Sequence, residues 1–433
     1  MYNKSKELYN KGEENVEKLQ EAVSLIEMGH VEEGMALIQT LKKDADHQTL
    51  YDIAKLYENL GHLEEAMNVV QRLRSLYPEE GELSIFAAEL LIELEQEDEA
   101  LEILGSISRF DDAYTQSLLL QADLYFMQGL HEVAEQKLLK ARSASPNEPV
   151  LAYALGELYL ERGDFIKSAV FLKEAESIAD QLPEGELHLR LAEALSRGGQ
   201  FEEALLYYQK GLKKKKELHS YFGYGLTAMK TKEYKIAISA FTELKSLDPD
   251  YTTLYPLLAN AYEEEGALDE ALATVKEGLV KDDFNEELKG KAARLLYQQG
   301  NREEGERYAR EVIAINPSNA EAVLHFSSML RKEERFDDIV DLLTHIVEQG
   351  DATPEMIWDL AFAYNEREEF EQARTHYEQA YPEFKESEVF LEEYGEFLIE
   401  EGEPEKALAL FKEALSINPM LHHLEETIDR LQS

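Results

Sequence analysis

Few residues of this 433-residue chain have types and spacing that could do chemistry. His422, His423, Glu425 and Glu426 place two imidazoles and two carboxylates close together, a set able to hold a divalent metal weakly. The plainer reading is the polar face of a helix. Paired carboxylates recur at Glu64-Glu65, Glu202-Glu203 and Glu303-Glu304. Such pairs can serve general acid–base chemistry. At the start of a helix they instead answer the positive end of its dipole. Gly223, Tyr224 and Gly225 hint at a phosphate loop, but they lie inside an apolar helical pattern. No G-x-x-x-x-G-K-S/T, G-x-S-x-G or H-E-x-x-H is found. The chain has no cysteine, which excludes disulfides, thiolate metal sites and cysteine nucleophiles. Neither catalysis, a cofactor nor a metal is expected.

The elements that position these residues form an array. Small residues recur at Ala54, Ala88, Ala122, Gly156, Ala192, Gly225, Ala259, Ala293, Ser327, Ala361 and Gly395. Nearly every step is 34 residues; steps of 36 and 33 flank Ala192. A looser repeat precedes them, around Leu19 to Leu41. In the last repeat, Leu391, Tyr394, Gly395 and Leu398 share one helix face. Gly402 breaks that helix, Pro404 opens a second, and Pro419 closes it. Each repeat is thus predicted to be two antiparallel helices. Gly395 and Ala407 let the helix axes approach, while larger residues fill the grooves.

At these residues the sequence resembles the tetratricopeptide repeat family. Pro78, Pro146, Pro249, Pro317 and Pro419 occupy its closing position. The family's first-helix tryptophan is replaced by residues such as Leu50, Tyr221, Tyr255 and Leu391. The third repeat lacks both the turn glycine and the closing proline. The resemblance implies an all-α fold, a right-handed superhelical solenoid of about twelve helix-turn-helix repeats. Residues 1–14 would be an N-terminal extension and 15–421 the array. Repeats would start near 15, 47, 81, 115, 149, 185, 218, 252, 286, 320, 354 and 388. First helices would line a concave groove. After Pro419, Leu421, Leu424, Ile428 and Leu431 make one apolar stripe of a C-terminal capping helix, with 422–433 at its end.

Charge restricts the partners. With 44 basic and 89 acidic residues the net charge is −45, which repels nucleic acid and anionic membranes. It is uneven: residues 197–245 carry ten basic and five acidic residues, and residues 351–433 carry six and 22. The run Lys213 to Lys216 suits the end of a second helix. The N-terminus shows no secretory apolar region, and no window approaches the ~20 apolar residues of a membrane span. A cytoplasmic protein with no direct membrane insertion is expected.

In a solenoid, function lies in side chains that packing does not need. On the first helices these fall one residue after each core position. That register gives Phe126 and Met127; Tyr153; Phe222, Met229 and Lys230; Arg294 and Tyr297; Arg331 and Lys332; Trp358 and Phe362. Leu119, Leu160, Leu226 and Leu324 belong to the same set. Trp358 is the only tryptophan; a one-residue slip would return it from the groove to the core. Arg294, Arg331 and Lys332 would hold a carboxylate or an acidic stretch of an extended peptide. The Lys and Asn carboxylate clamp of some family members is not found, because Tyr51 and Lys55 stand at the matching places. Val16, Leu83 and Ile92 fit a dimer contact and local packing equally, so no oligomeric state is set. The resemblance implies a non-enzymatic scaffold or adaptor binding a peptide segment or partner protein in its groove. Two alternatives stay open: a peptide-gated signalling regulator, and a cytoplasmic-side assembly factor for an envelope complex.

Overall fold

Each apolar run keeps helical spacing until a residue able to adopt positive φ breaks it, so the period folds as paired helices. A computed structural model describes residues 2–178 and 183–432, with side chains from residue 14 onward. All regular elements among the described residues are helices. The chain divides into two compact units, Met1–Thr227 and Ala228–Ser433. The series opens with α1 (Tyr2–Glu27), α2 (Val31–Asp44), α3 (His47–Asn59), α4 (Leu63–Leu76), α5 (Gly81–Glu93) and α6 (Glu97–Ser106). It continues with α7 (Tyr114–Met127), α8 (His131–Ala144), α9 (Pro149–Glu161), α10 (Phe165–Ile178), α11 (Glu184–Arg197), α12 (Phe201–Lys214) and α13 (Leu218–Lys230). Then come α14 (Tyr234–Leu247), α15 (Leu254–Glu264), α16 (Leu268–Lys281), α17 (Glu286–Gln298), α18 (Arg302–Ile315) and α19 (Ala320–Lys332). The last are α20 (Phe336–Gln349), α21 (Pro354–Glu366), α22 (Phe370–Phe384), α23 (Glu388–Glu400), α24 (Pro404–Ile417) and α25 (His422–Gln432). Because α1 runs unbroken from Tyr2, residues 2–14 belong to the first helix.

The turn inside each pair is one device repeated. At Gly61 the amide donates to the Glu58 carbonyl at 2.9 Å, and the next amide, His62, reaches back to Tyr57 at 2.8 Å. These bonds satisfy carbonyls left open at the helix end, and they require a left-handed residue. Glycine supplies it at Gly29, Gly61, Gly129, Gly163, Gly199, Gly266, Gly300 and Gly402. The third repeat, which lacks the glycine, makes the same turn with Glu95 at φ 59°. Lys232, Glu334 and Glu368 do likewise at 61°, 56° and 60°.

Close helix approach explains the small residues. A Cβ on Gly156 of α9 would fall 2.6 Å from Leu172 of α10. On Gly395 of α23 it would collide with Phe411 of α24. Ala407 and Ala414 are wholly buried. Gly223 lies in α13 under Tyr208 of α12, so its missing side chain serves packing. Leu83 and Leu160 are also buried, Ile92 is half-buried, and Val16 stays open.

Most residues that suggested chemistry stabilise helix ends. Glu64, Glu65, Glu202, Glu203, Glu303 and Glu304 stand in first turns of second helices. Glu203 pairs with Lys173 at 2.7 Å and Glu304 with Lys276 at 2.9 Å, tying neighbouring second helices. From the lysine run, Lys214 and Lys215 reach Glu184 and Glu186, both at 3.2 Å, at the start of α11. His423 pairs with Glu392 of α23 at 2.7 Å, and Leu424 and Ile428 of α25 bury on the terminal core. No described helix is long and apolar enough to cross a membrane.

The four non-glycine turns give a prediction. An L-residue in the left-handed region costs roughly 1–2 kcal/mol, partly offset because glycine loses more entropy on folding. The variant with Glu95, Lys232, Glu334 and Glu368 all changed to glycine should melt at a higher temperature by calorimetry. A lower midpoint would show that these side chains hold the turns.

Candidate functional site

First helices of successive pairs lie side by side within each unit: α5 with α7, α9 with α11, α15 with α17, and α19 with α21. Cavities open between some of these rows, and residues chosen from the sequence line three of them. In the first unit a cavity of about 270 Å³ lies between α7 and α9. Leu119, Phe126, Val150 and Tyr153 form apolar walls, and Asp123 and Glu157 add two carboxyls. Asp123 is exposed to solvent, yet partial desolvation by the surrounding protein still pushes it up to about 6; burial also raises Glu157 and the Tyr153 hydroxyl.

In the second unit a cavity of about 340 Å³ lies between α17 and α19. Arg294, Lys291, Glu286, Asn319 and His325 line it. Arg294 is already neutralised by Glu263 at 2.8 Å, and Lys291 by Glu287 at 3.5 Å. Burial, then the Arg294 and Lys332 charges, lower the His325 pKa. A third cavity, about 600 Å³, is lined by Arg331, Lys332, Phe336, Phe362 and Glu366. The Arg331 guanidinium lies 3.4 Å from the Phe362 ring centroid, a cation–π contact. Its charge is bound by Glu393 at 2.6 Å and Asp359 at 3.4 Å. Lys332 is exposed.

Trp358 belongs to the same network. Its ring packs 5.0 Å from Phe384 and 5.2 Å from Phe390, and its N–H donates to Glu393 at 2.7 Å. Tyr377 donates to the same carboxylate oxygen at 3.0 Å. Trp358 is therefore committed to holding α21 on α22 and α23, with part of the ring still open. Tyr297 turns toward its own partner helix, over the slot left by Gly305 of α18. Burial and the nearby Glu306 raise its hydroxyl to about 12. Met127 is 69% exposed beyond the first cavity. Phe222 and Met229 are half-buried on α13, and Lys230 is exposed.

Sequence reasoning passed over Asp123, Glu157 and Glu393. The first two carried a signal. Each directly follows the small residue of its repeat, as Arg294 follows Ala293 and Phe362 follows Ala361. Glu393 had none, because its three partners come from three other helices.

Two predictions follow from this geometry. Glu393→Ala leaves Arg331 with Asp359 alone and takes the acceptor from the Trp358 N–H, so it should cost about 2 kcal/mol. It should also shift the emission of the sole tryptophan to longer wavelength; unchanged emission would contradict the network. The second concerns Asp123. Its folded pKa, about 6, lies above the ordinary 3.8, so ionisation opposes folding as pH rises between them. Above about pH 6, Asp123→Asn should raise the melting temperature slightly, the effect at this exposed position being screened by solvent, with the gain vanishing toward pH 4. A gain independent of pH would contradict this.

Comparison with known proteins agrees with the repeat geometry. The YpiA-like C-terminal tetratricopeptide repeats match residues 354–420, and YpiA-like tetratricopeptide repeats match residues 127–177. The general tetratricopeptide repeat matches residues 189–252. The TPR repeat-containing protein YpiA of Bacillus subtilis (strain 168) is 41% identical over 414 residues, 96% of this chain and 98% of that protein. Among solved structures, YrrB, described as a TPR protein with an unusual peptide-binding site, aligns at 17% identity. It covers 43% of this chain and 95% of its own, with a TM-score of 0.39. The APC/C hetero-tetramer Cut9–Hcn1 aligns at 12% identity over 95% of each chain, with a TM-score of 0.38. The repeat turns, the small-residue contacts and a relative matched along nearly its whole length place this chain in the tetratricopeptide-repeat family, as a YpiA-like member.

Proposed function

We propose that the protein is a non-enzymatic scaffold that binds extended segments of partner proteins on the first-helix faces of its repeats. The observation that carries this reading is the placement of Phe126, Tyr153, Arg294, Arg331 and Phe362. Each lines a cavity between neighbouring first helices. Partly open apolar and aromatic side chains around a concave cavity are what a bound segment needs for anchoring. The polar groups whose types suggest catalysis are instead engaged in helix ends and in pairs between helices.

The internal pairing of Arg294 and Arg331 alters the kind of segment favoured. An acidic segment would have to displace Glu263 or Glu393, giving up charge-assisted contacts already made. Apolar anchors are favoured there.

A peptide-display selection against the intact chain tests this. Segments enriched by the native protein should be lost with Phe126→Ala, Arg294→Ala and Phe362→Ala combined, while far-ultraviolet circular dichroism stays unchanged. Enrichment that survives the triple variant would move binding off the first-helix faces.

A further inference from the structure

From α5 to α11 the residue after the small position of each first helix is a carboxylate: Glu89, Asp123, Glu157 and Glu193. Their charge is not equally answered. Glu89 has Lys55 at 4.0 Å. Glu193 has Arg190 at 3.4 Å and Arg197 at 3.5 Å. Asp123 has no hydrogen bond or ion pair among the described residues and stands exposed to solvent. Glu157 meets Arg190 through Oε2 at 3.3 Å, while its Oε1 is enclosed and has no donor. Asp123, without a partner, and Glu157, with one oxygen lacking a donor, are the two that line the 270 Å³ cavity between α7 and α9. Its other walls, Leu119, Phe126, Val150 and Tyr153, match the hydrocarbon stem of a long side chain.

We propose that this cavity receives the lysine or arginine side chain of an extended basic segment of a partner protein, with Asp123 and Glu157 as its counter-charges. The proposal rests on first-helix binding and adds the chemistry of one subsite. The enclosed Oε1 of Glu157 lacks a donor, which is costly, and an incoming ammonium or guanidinium supplies one, while Asp123, exposed and without an ion pair, adds a second counter-charge. The aromatic walls favour a cation on their faces. The net charge of −45 draws basic segments toward the protein, and the cavity selects where one side chain seats.

The test uses the full chain and fluorescein-labelled peptides of Gly-Leu-Xaa repeated three times, with Xaa arginine, lysine, norleucine or glutamate. Binding is read by anisotropy at about 0.15 M salt, to screen general attraction. The arginine or lysine peptide should bind at least about ten-fold more tightly than the norleucine peptide. Asp123→Asn with Glu157→Gln should abolish that preference. The charge-matched pair Glu425→Gln with Glu426→Gln, on exposed positions of α25, should retain it. Equal binding of norleucine and lysine peptides overturns the proposal, as does an equal loss in the control pair. If Phe126→Ala weakens equally bound peptides, first-helix binding stands and the cation subsite falls. If no peptide binds, or Phe126→Ala has no effect, both fall.

Discussion

The structure depends on the turn inside each helix pair. One residue must adopt positive φ so that two amides can fold back onto the end of the first helix. That turn sets the second helix antiparallel and brings small residues such as Gly156 and Gly395 against Leu172 and Phe411. The close approach in turn fixes which first-helix residues point into packing and which remain over. Where glycine is missing, glutamate or lysine takes the strained conformation and the turn is kept. The constraint belongs to the backbone, and the side chain only modulates its cost.

The repeat and the helix pairs were legible because they rest on local rules: spacing of apolar residues, breakers and closing prolines. The capping stripe from Leu421 to Leu431 was legible for the same reason. Roles set by contact between helices were not. Lys214 and Lys215 read as a helix end answering its dipole, yet they pair with the start of the preceding helix, α11. Tyr297 read as a groove residue, yet it fills the slot over Gly305. Trp358 sat in the candidate set without any sign that Glu393, 35 positions later, would hold its N–H.

The same division explains the candidate site. Phe126, Tyr153, Arg294 and Phe362 follow from register and do line cavities. Whether a charge there is free depends on partners one or two repeats away. Arg294 and Arg331 are spent on Glu263, Asp359 and Glu393, whereas Asp123 is unanswered. Two residues of equivalent register, Asp123 and Arg294, therefore differ in what they offer a ligand.

The most direct test of the central claim is hydrogen exchange of the intact chain with and without a saturating display-selected segment. The account predicts slowed exchange confined to first helices that border cavities, α7 and α9 or α17, α19 and α21. Protection concentrated on second helices, or spread evenly over both, would contradict it.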